Sequence, residues 1–183
     1  MPRALIVFES MFGNGHRVAD LVAAGLRDAG WEAQTMSVLD APDVPDTDLL
    51  VLGAPTHALG LSRSATRAAR STHLATDDDQ RKAAAEPRAD TGRGMREYLG
   101  VLKLPGLMPV GVYDTRGGSR GPGGACRAMS RRVAAMGAQL LTPAQRFLVE
   151  GFTGPLASGE EERARQWGAK LAAMYPERVT SPV

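Results

Sequence analysis

The chain contains a single cysteine, Cys126, so no disulfide bond can form within it. Its apolar runs fall well short of the roughly 20 residues that a membrane-spanning helix needs. The apolar stretch before Glu9 is also shorter than the hydrophobic region of a secretion signal. These absences predict a soluble protein of a reducing compartment, and we expect it in the cytoplasm without a membrane partner.

Lysine is scarce, with 3 residues against 19 arginines, and the formal net charge is only +2. A nucleic-acid-binding protein usually concentrates its basic residues on one face. Here the arginines are scattered, with mild clusters at Arg63, Arg67 and Arg70, and at Arg116, Arg120, Arg127, Arg131 and Arg132. This distribution argues against a nucleic-acid partner.

Metal-binding and nucleophile motifs are also missing. His16, His57 and His73 lack the spacing of metal ligands, and no nucleophile-elbow motif surrounds any serine. We therefore predict neither a metal site nor a catalytic nucleophile. Two interpretations stay open for Cys126, which follows a glycine-rich loop at the predicted start of a helix. It is either a small packing residue or a thiol whose pKa the helix N-terminus lowers.

The length of 183 residues is enough to bury a core without disulfides, and it predicts one domain over residues 1–175. Residues 71–94 contain an aspartate run, a proline and few large apolar side chains. This composition predicts an exposed excursion whose helical content the sequence leaves open. Residues 176–183 are predicted to form a flexible tail.

Strand and helix signals alternate along the rest of the chain. Apolar segments predict strands at residues 3–8, 32–38, 49–52, 108–113 and 139–149, the last interrupted by Thr142-Pro143. Helices are predicted at about residues 13–29, 93–102, 123–136 and 160–174. The alternation is typical of βαβ units, and it predicts an α/β fold with a doubly wound parallel sheet.

Three short polar or glycine-rich loops follow the first, third and fourth predicted strands. They span residues 10–15, 55–60 and 114–121. In an open parallel sheet, the carboxyl ends of the strands meet at one edge, where ligands bind. The first loop also leads directly into a helix, whose unpaired N–H groups and positive dipole end attract a phosphate. The three loops together predict a phosphate-containing ligand at this edge.

These loops resemble those of flavodoxins, the FMN-binding electron-transfer family. Ser10-Met11-Phe12-Gly13-Asn14-Gly15 is similar to the phosphate loop of that family. Gly53-Ala54-Pro55-Thr56 is similar to the turn that borders the isoalloxazine ring, and residues 114–121 to the loop on its other face. The resemblance covers nearly the whole chain apart from residues 71–94. It implies a flavodoxin-like three-layer sandwich, with a five-stranded parallel sheet of order 2-1-3-4-5 and bound FMN.

The resemblance also implies a role for each loop. Ser10 would give its hydroxyl and N–H groups to the FMN phosphate, and residues 11–15 would give backbone N–H groups. Thr56 and its neighbours would contact one side of the ring, and residues 114–117 its pyrimidine end. The implied cofactor-binding residues are Ser10, Met11, Phe12, Gly13, Asn14, Gly15, Pro55, Thr56, His57, Ala58, Asp114, Thr115, Arg116 and Gly117.

Four residues depart from the pattern of the family. Phe12 and Gly15 replace two hydroxyl-bearing residues of the phosphate loop, which removes two side-chain hydrogen bonds to the phosphate. His57 stands where an aromatic side chain is common, and its protonation near neutral pH would alter the flavin potential. Ala58 stands where the family often has glycine, and its side chain disfavours a positive φ next to the reduced flavin. We expect weakened FMN binding, unless His16 or Arg17 compensates.

The predicted function is that of an electron carrier between a reductase and an unidentified acceptor protein or small molecule. One alternative is an NAD(P)H-dependent reductase of quinones or other small molecules, in which residues 71–94 roof the substrate or form a homodimer contact. A further alternative is a flavin-less flavodoxin-fold module that binds a partner protein. The net positive charge weighs against a shuttle flavodoxin, because those proteins are strongly acidic and dock on basic reductases.

Overall fold

The computed structural model describes residues 1–57, 60–118 and 123–176. The strands are β1 (Arg3–Phe8), β2 (Glu32–Ser37), β3 (Leu49–Pro55), β4 (Pro109–Gly117), β5 (Gln139–Leu140) and β6 (Gln145–Val149). The α-helices are α1 (Asn14–Asp28), α2 (Ser64–Ala68), α3 (Asp77–Ala84), α4 (Met95–Val101), α5 (Ala125–Ala135) and α6 (Glu160–Met174), and a 3₁₀ helix spans Ala69–His73. Ala58, the end of the third predicted loop and nearly all of the predicted tail lie outside the described residues.

Neighbouring strands of the sheet run parallel in the order β2-β1-β3-β4, and both β5 and β6 pair with β4 beyond it. The predicted order 2-1-3-4-5 is confirmed, except that two short strands share the fifth position. The break between them contains Pro143, which has no N–H to donate to a neighbouring strand. The indole of Trp167 on α6 donates a 3.0 Å hydrogen bond to the hydroxyl of Thr142, which fixes this break against the helix layer.

Strand β4 is longer than the sequence predicts, which changes the third predicted loop. The predicted strand ends at residue 113, but pairing continues alongside β6, with Tyr113 opposite Gln145 and Gly117 opposite Val149. Asp114, the first residue of the predicted loop, is fully buried. The predicted strand end is therefore wrong, and the first half of the predicted loop is strand.

The sheet is covered on both faces, which gives the predicted three layers. On one face, α1 and α6 contribute Leu26 and Leu171 to a core that also contains Ile6. On the other face, α4 and α5 contribute Leu99 and Met129 to a second core. Residues 49–54 of β3 lie between these cores and are all buried, as their apolar sequence predicts. Within the described ranges, no helix has both the length and the hydropathy that crossing a membrane requires.

Residues 71–94 are largely exposed, but they contain a helix and pack against the body of the fold. Helix α3 begins with a reciprocal cap. The N–H of Asp79 donates to the Thr76 hydroxyl at 3.1 Å, and the N–H of Thr76 donates to the Asp79 carboxylate at 3.0 Å. Near the end of the helix, Ala83 packs against Met11 and Phe12 of the loop after β1. This segment therefore covers one side of the predicted phosphate loop.

Helices α1 and α6 approach each other closely at two glycines. A Cβ atom at Gly25 would lie 1.9 Å from the backbone oxygen of Arg165, and one at Gly168 would lie 2.2 Å from that of Val22. A close-packed interior leaves no room for a side chain at such distances. The two glycines therefore set the packing distance of the helix pair.

We predict that Gly25→Ala lowers the free energy of unfolding by about 1–3 kcal/mol, because the added methyl group pushes α1 and α6 apart. Gly100→Ala in α4 is the matched control, since a Cβ atom there meets no other atom within 4 Å. The control raises stability by up to about 1 kcal/mol through helix propensity. Urea denaturation measures both variants, and equal stabilities would contradict the close helix approach.

Candidate functional site

An open cleft lies at the carboxyl edge of the sheet, where β1, β3, β4 and β6 end. It holds about 560 Å³ of space, counted to its open mouth. Two of the described cofactor-binding predictions do not line it: Gly13 shapes the first loop and Asp114 lies beneath the cleft, while Ala58 falls outside the described residues. The lining residues are Ser10, Met11, Phe12, Asn14, Gly15, Pro55, Thr56, His57, Thr115, Arg116, Gly117, Val149, Gly151 and Phe152.

The loop after β1 brings free backbone N–H groups to the cleft. The hydroxyl of Ser10 accepts a 3.0 Å hydrogen bond from the N–H of Gly13, whose φ is +87°. This turn places Asn14, Gly15 and His16 in the first turn of α1, where N–H groups have no acceptor within the helix. The described part of the chain supplies no other acceptor for them. With no acidic residue in the first turn of α1, these groups suit an anion.

Gly15 has a packing reason to lack a side chain. A Cβ atom at this position would lie 2.5 Å from the backbone oxygen of Glu9, so the hydroxyl-bearing residue of the family pattern has no room. The backbone oxygen of Gly15 accepts a 2.8 Å hydrogen bond from the buried hydroxyl of Tyr113, whose pKa is raised by burial. Tyr113 reaches this oxygen by crossing Gly53, where a Cβ atom would lie 1.9 Å from the phenol ring. Glycine at position 15 thus follows from the close approach of α1 to the sheet.

Thr56 and Asp114 hold the second and third loops together. The Thr56 hydroxyl donates to the Asp114 carboxylate at 3.0 Å and accepts from the N–H of Ala125 at 3.0 Å. The same carboxylate oxygen of Asp114 accepts from the N–H of Cys126 at 3.0 Å and lies 3.2 Å from the guanidinium of Arg116. These contacts join β3, β4 and the start of α5. The side chains of Thr56 and Asp114 therefore organise the cleft from beneath.

The imidazole of His57 lines the cleft, and its surroundings favour the neutral form. Its backbone N–H and C=O groups pair with those of Gly60 at 2.9 Å. Burial lowers the pKa of His57, and the electrostatic effects of Arg67 and His73 lower it further. The pKa thus lies below the ordinary histidine value of about 6.5, so burial favours the uncharged ring.

The loop after β6 forms a wall of the cleft that the sequence analysis missed. Gly151 and Phe152 lie on this wall. The side-chain amide of Asn14 donates a 3.0 Å hydrogen bond to the backbone oxygen of Thr153, which ties this loop to the first one. Phe152 is 60% exposed, and its ring stacks on that of His73 with 3.8 Å between the centroids. A phenylalanine in a polar loop after a strand of the same sheet is the signal that could have revealed this wall.

His16 is engaged with residues 71–94 rather than with the cleft. Its ring stacks on Phe8 with 4.3 Å between the centroids, and its Nδ1 lies 3.2 Å from a carboxylate oxygen of Glu86. Burial raises the pKa of Glu86, and its contacts with His16 and Ser10 oppose the rise. The His16 side chain therefore does not replace the hydrogen bonds to the phosphate that are lost at Phe12 and Gly15.

Cys126 is a packing residue, which settles the two interpretations of its role. The side chain is buried, and the thiol donates a 3.0 Å hydrogen bond to the backbone oxygen of Gln145. Burial raises the pKa of the thiol, and the charge of Asp114 raises it further. Among the residues that the structure describes, no group of three His, Cys, Asp or Glu side chains is placed to hold a metal ion.

We predict that the imidazole of His57 titrates below pH 6.5, because burial favours the uncharged ring. When the folded-state pKa is lower than the unfolded value, acidification through pH 6.5 protonates the unfolded chain first and lowers the stability of the fold. NMR titration of the imidazole signals measures this pKa, and His57→Gln identifies the resonances. Titration at or above pH 6.5 would show that the ring is not buried in the cleft wall.

No protein-family profile and no curated protein matches the chain. Solved structures match it across nearly its full length. A flavodoxin from the domain Archaea has a TM-score of 0.62 at 14% identity, covering 93% of this chain and 96% of that one. Oxidised flavodoxin 1 from Bacillus cereus has a TM-score of 0.62 at 17% identity, with 93% and 97% covered. A WrbA-like flavodoxin from Agrobacterium tumefaciens has a TM-score of 0.57 at 17% identity, with 96% and 98% covered. The strand order, the three layers and these matches lead to one conclusion: the chain has the flavodoxin-like fold.

Proposed function

We propose that this protein binds FMN in the cleft and acts as a redox protein that carries electrons. The observation that carries the proposal is a convergence at one edge of the sheet. The free N–H groups at the start of α1 lie on the same cleft as the neutral ring of His57 and the exposed ring of Phe152. An anion-binding helix terminus beside aromatic walls suits the two halves of FMN, its phosphate and its isoalloxazine. The resemblance of the loops to those of flavodoxins supports the same ligand.

The residues of the cleft fit this cofactor. Ser10 and the free N–H groups of Asn14, Gly15 and His16 would hold the phosphate, and His57 would contact the ring. Gly117 has no room for a side chain, because a Cβ atom there would lie 2.7 Å from the backbone oxygen of Gly151. No side chain therefore covers the β4 backbone at Gly117, where the pyrimidine end of the ring would lie.

FMN supplies one- or two-electron chemistry when it is bound, and the protein sets its surroundings. Burial favours the uncharged form of His57, so this wall adds little positive charge beside the ring. Among the described lining residues, Arg116 carries the only formal charge, and Asp114 offsets it at 3.2 Å. The cleft therefore meets the phosphate charge mainly with backbone N–H groups.

An electron carrier and an NAD(P)H-dependent reductase would use the same cleft. Its open mouth favours the carrier, because a partner protein can approach a bound ring. The stacking of His73 on Phe152 favours the reductase as a second candidate, because it brings the 3₁₀ helix to the rim of the cleft, where it could cover a small substrate. Steady-state NADPH oxidation with a quinone distinguishes them: turnover identifies the reductase, and flavin-loaded protein without turnover identifies the carrier.

We predict that the protein binds one FMN and that Ser10→Asp weakens this binding at least about tenfold, because a carboxylate in the loop repels the phosphate. Ser64→Asp is the matched control, since it makes the same chemical change at an exposed position at the start of α2, away from the cleft lining. Visible absorbance and flavin fluorescence follow the titration, and circular dichroism checks the folding of each variant.

Equal FMN affinity in folded Ser10→Asp and in the unmodified protein would remove the phosphate site from this loop. Absence of flavin binding at saturating FMN, in a folded protein, would refute the redox function. The flavin-less module that binds a partner protein would then be the function left.

A further inference from the structure

Acidic residues are unevenly distributed in this fold. Between Glu97 and Glu150 the chain has one acidic residue, Asp114, and its side chain is fully buried. The same stretch contains seven basic residues: Lys103, Arg116, Arg120, Arg127, Arg131, Arg132 and Arg146. Because the whole chain has a net charge of only +2, the remainder is net acidic. The excess of basic residues therefore lies in this stretch of the sequence, and three of its arginines, Arg127, Arg131 and Arg132, are exposed on α5.

Two of these arginines join Arg96 in a surface groove between α4 and α5. We call it the basic groove, and it is lined by Leu61, Arg96, Leu99, Ala128, Arg131 and Arg132. Arg131 and Arg132 are exposed, and no carboxylate of the described residues pairs with either. Glu97, the neighbour of Arg96 on α4, is already paired with Arg67 at 3.2 Å. The positive charge of the groove is thus not neutralised by the protein itself.

The basic groove and the cleft share their supporting loops. The guanidinium of Arg96 donates a 2.7 Å hydrogen bond to the backbone oxygen of Leu61, which directly follows the backbone partner of His57, Gly60. On the other side of the groove, the first N–H of α5, from Ala125, donates to the Thr56 hydroxyl at 3.0 Å. A protein bound in the groove would therefore lie beside the edge of the sheet that holds the cleft.

We propose that the basic groove docks an acidic electron-transfer protein, which reduces the flavin in the adjacent cleft. The inference rests on the proposed function, because the flavin is the acceptor. With FMN bound, one electron would pass at each encounter from the reduced cofactor of the partner to the flavin. Two encounters supply the two electrons of full reduction, and the protons come from solvent. The docking surface is positively charged here, whereas that of shuttle flavodoxins is negatively charged and docks on basic partners.

The chemistry of the groove favours a folded protein over a nucleic acid. Leu61, Leu99 and Ala128 form an apolar floor between the arginines. Protein interfaces commonly combine an apolar centre with a charged rim, which this arrangement complements. Single-stranded nucleic acids are usually held by aromatic side chains that stack on bases, and the described lining of the groove contains none.

The test uses FMN-loaded protein and, as the probe, a purified acidic [2Fe–2S] ferredoxin. Calorimetry at about 0.01 M salt, where the Debye length is roughly 30 Å, measures binding. Anaerobic stopped-flow mixing with reduced ferredoxin measures the rate of flavin reduction. We expect saturable binding that weakens when the salt is raised to about 0.1 M.

The double variant Arg131→Glu/Arg132→Glu is expected to weaken binding and slow flavin reduction, each at least about tenfold. Arg81→Glu/Lys170→Glu is the matched control, because it makes the same change in net charge at exposed positions on α3 and α6. The control is expected to change both quantities less than about threefold, since these residues contribute only to the long-range field. Arg131→Ala/Arg132→Ala replaces the first variant if circular dichroism shows that it does not fold.

No ferredoxin binding at low salt, or equal losses in the groove variant and the control, would overturn the proposal. Tighter binding of a DNA duplex or of phosphatidylserine vesicles through the same arginines would also overturn it, in favour of those partners. An FMN titration of each variant separates the two proposals. Unchanged FMN affinity together with lost ferredoxin binding supports the groove, whereas a folded protein that takes up no FMN refutes the redox function and the electron transfer with it.

Discussion

The cleft depends on the position of one buried side chain. Tyr113 crosses the sheet over Gly53 and donates its hydroxyl hydrogen to the backbone oxygen of Gly15, at 2.8 Å. The phenol can take this path because Gly53 has no side chain, and α1 can come close to β1 because Gly15 has none. One hydrogen bond thus ties the central strands to the first turn of the helix whose free N–H groups face the cleft. The replacement of a phosphate-binding hydroxyl by Gly15 is a consequence of this packing.

A second set of contacts keeps the net charge of the cleft low. Beneath the cleft, the carboxylate of Asp114 accepts hydrogen bonds from the hydroxyl of Thr56 and the N–H of Cys126, and it forms an ion pair with the guanidinium of Arg116. Burial favours the neutral form of His57 in the cleft wall. The walls of the cleft therefore carry little net charge, while the exposed arginines of α5 stand on the neighbouring surface. Buried charges need partners, whereas exposed charges are solvated by water. This arrangement therefore places a flavin site of low charge beside a basic docking surface.

The fold could be predicted because local patterns decide it: alternating strands and helices fix a parallel sheet, and short loops mark its carboxyl edge. Contacts between distant residues account for what the sequence did not reveal. Residues 114–117 have the composition of a turn, yet pairing with β6 makes them strand. Phe152 lies on the cleft in a loop that the long-range hydrogen bond from Asn14 to Thr153 ties to the first loop. Gly15 departs from the phosphate-loop pattern of the family, and only the distance to Glu9 shows why.

Residue-resolved NMR during an FMN titration is the most direct test of the cofactor site. The largest changes in the amide spectra are predicted at residues 10–16, at His57 and at residues 151–152, while the amides of α4 and of the exposed face of α5 change little. FMN is an anion, so the arginines of the basic groove are the natural competing site. Changes confined to that groove, or no changes in a folded protein, would contradict a flavin site in the cleft.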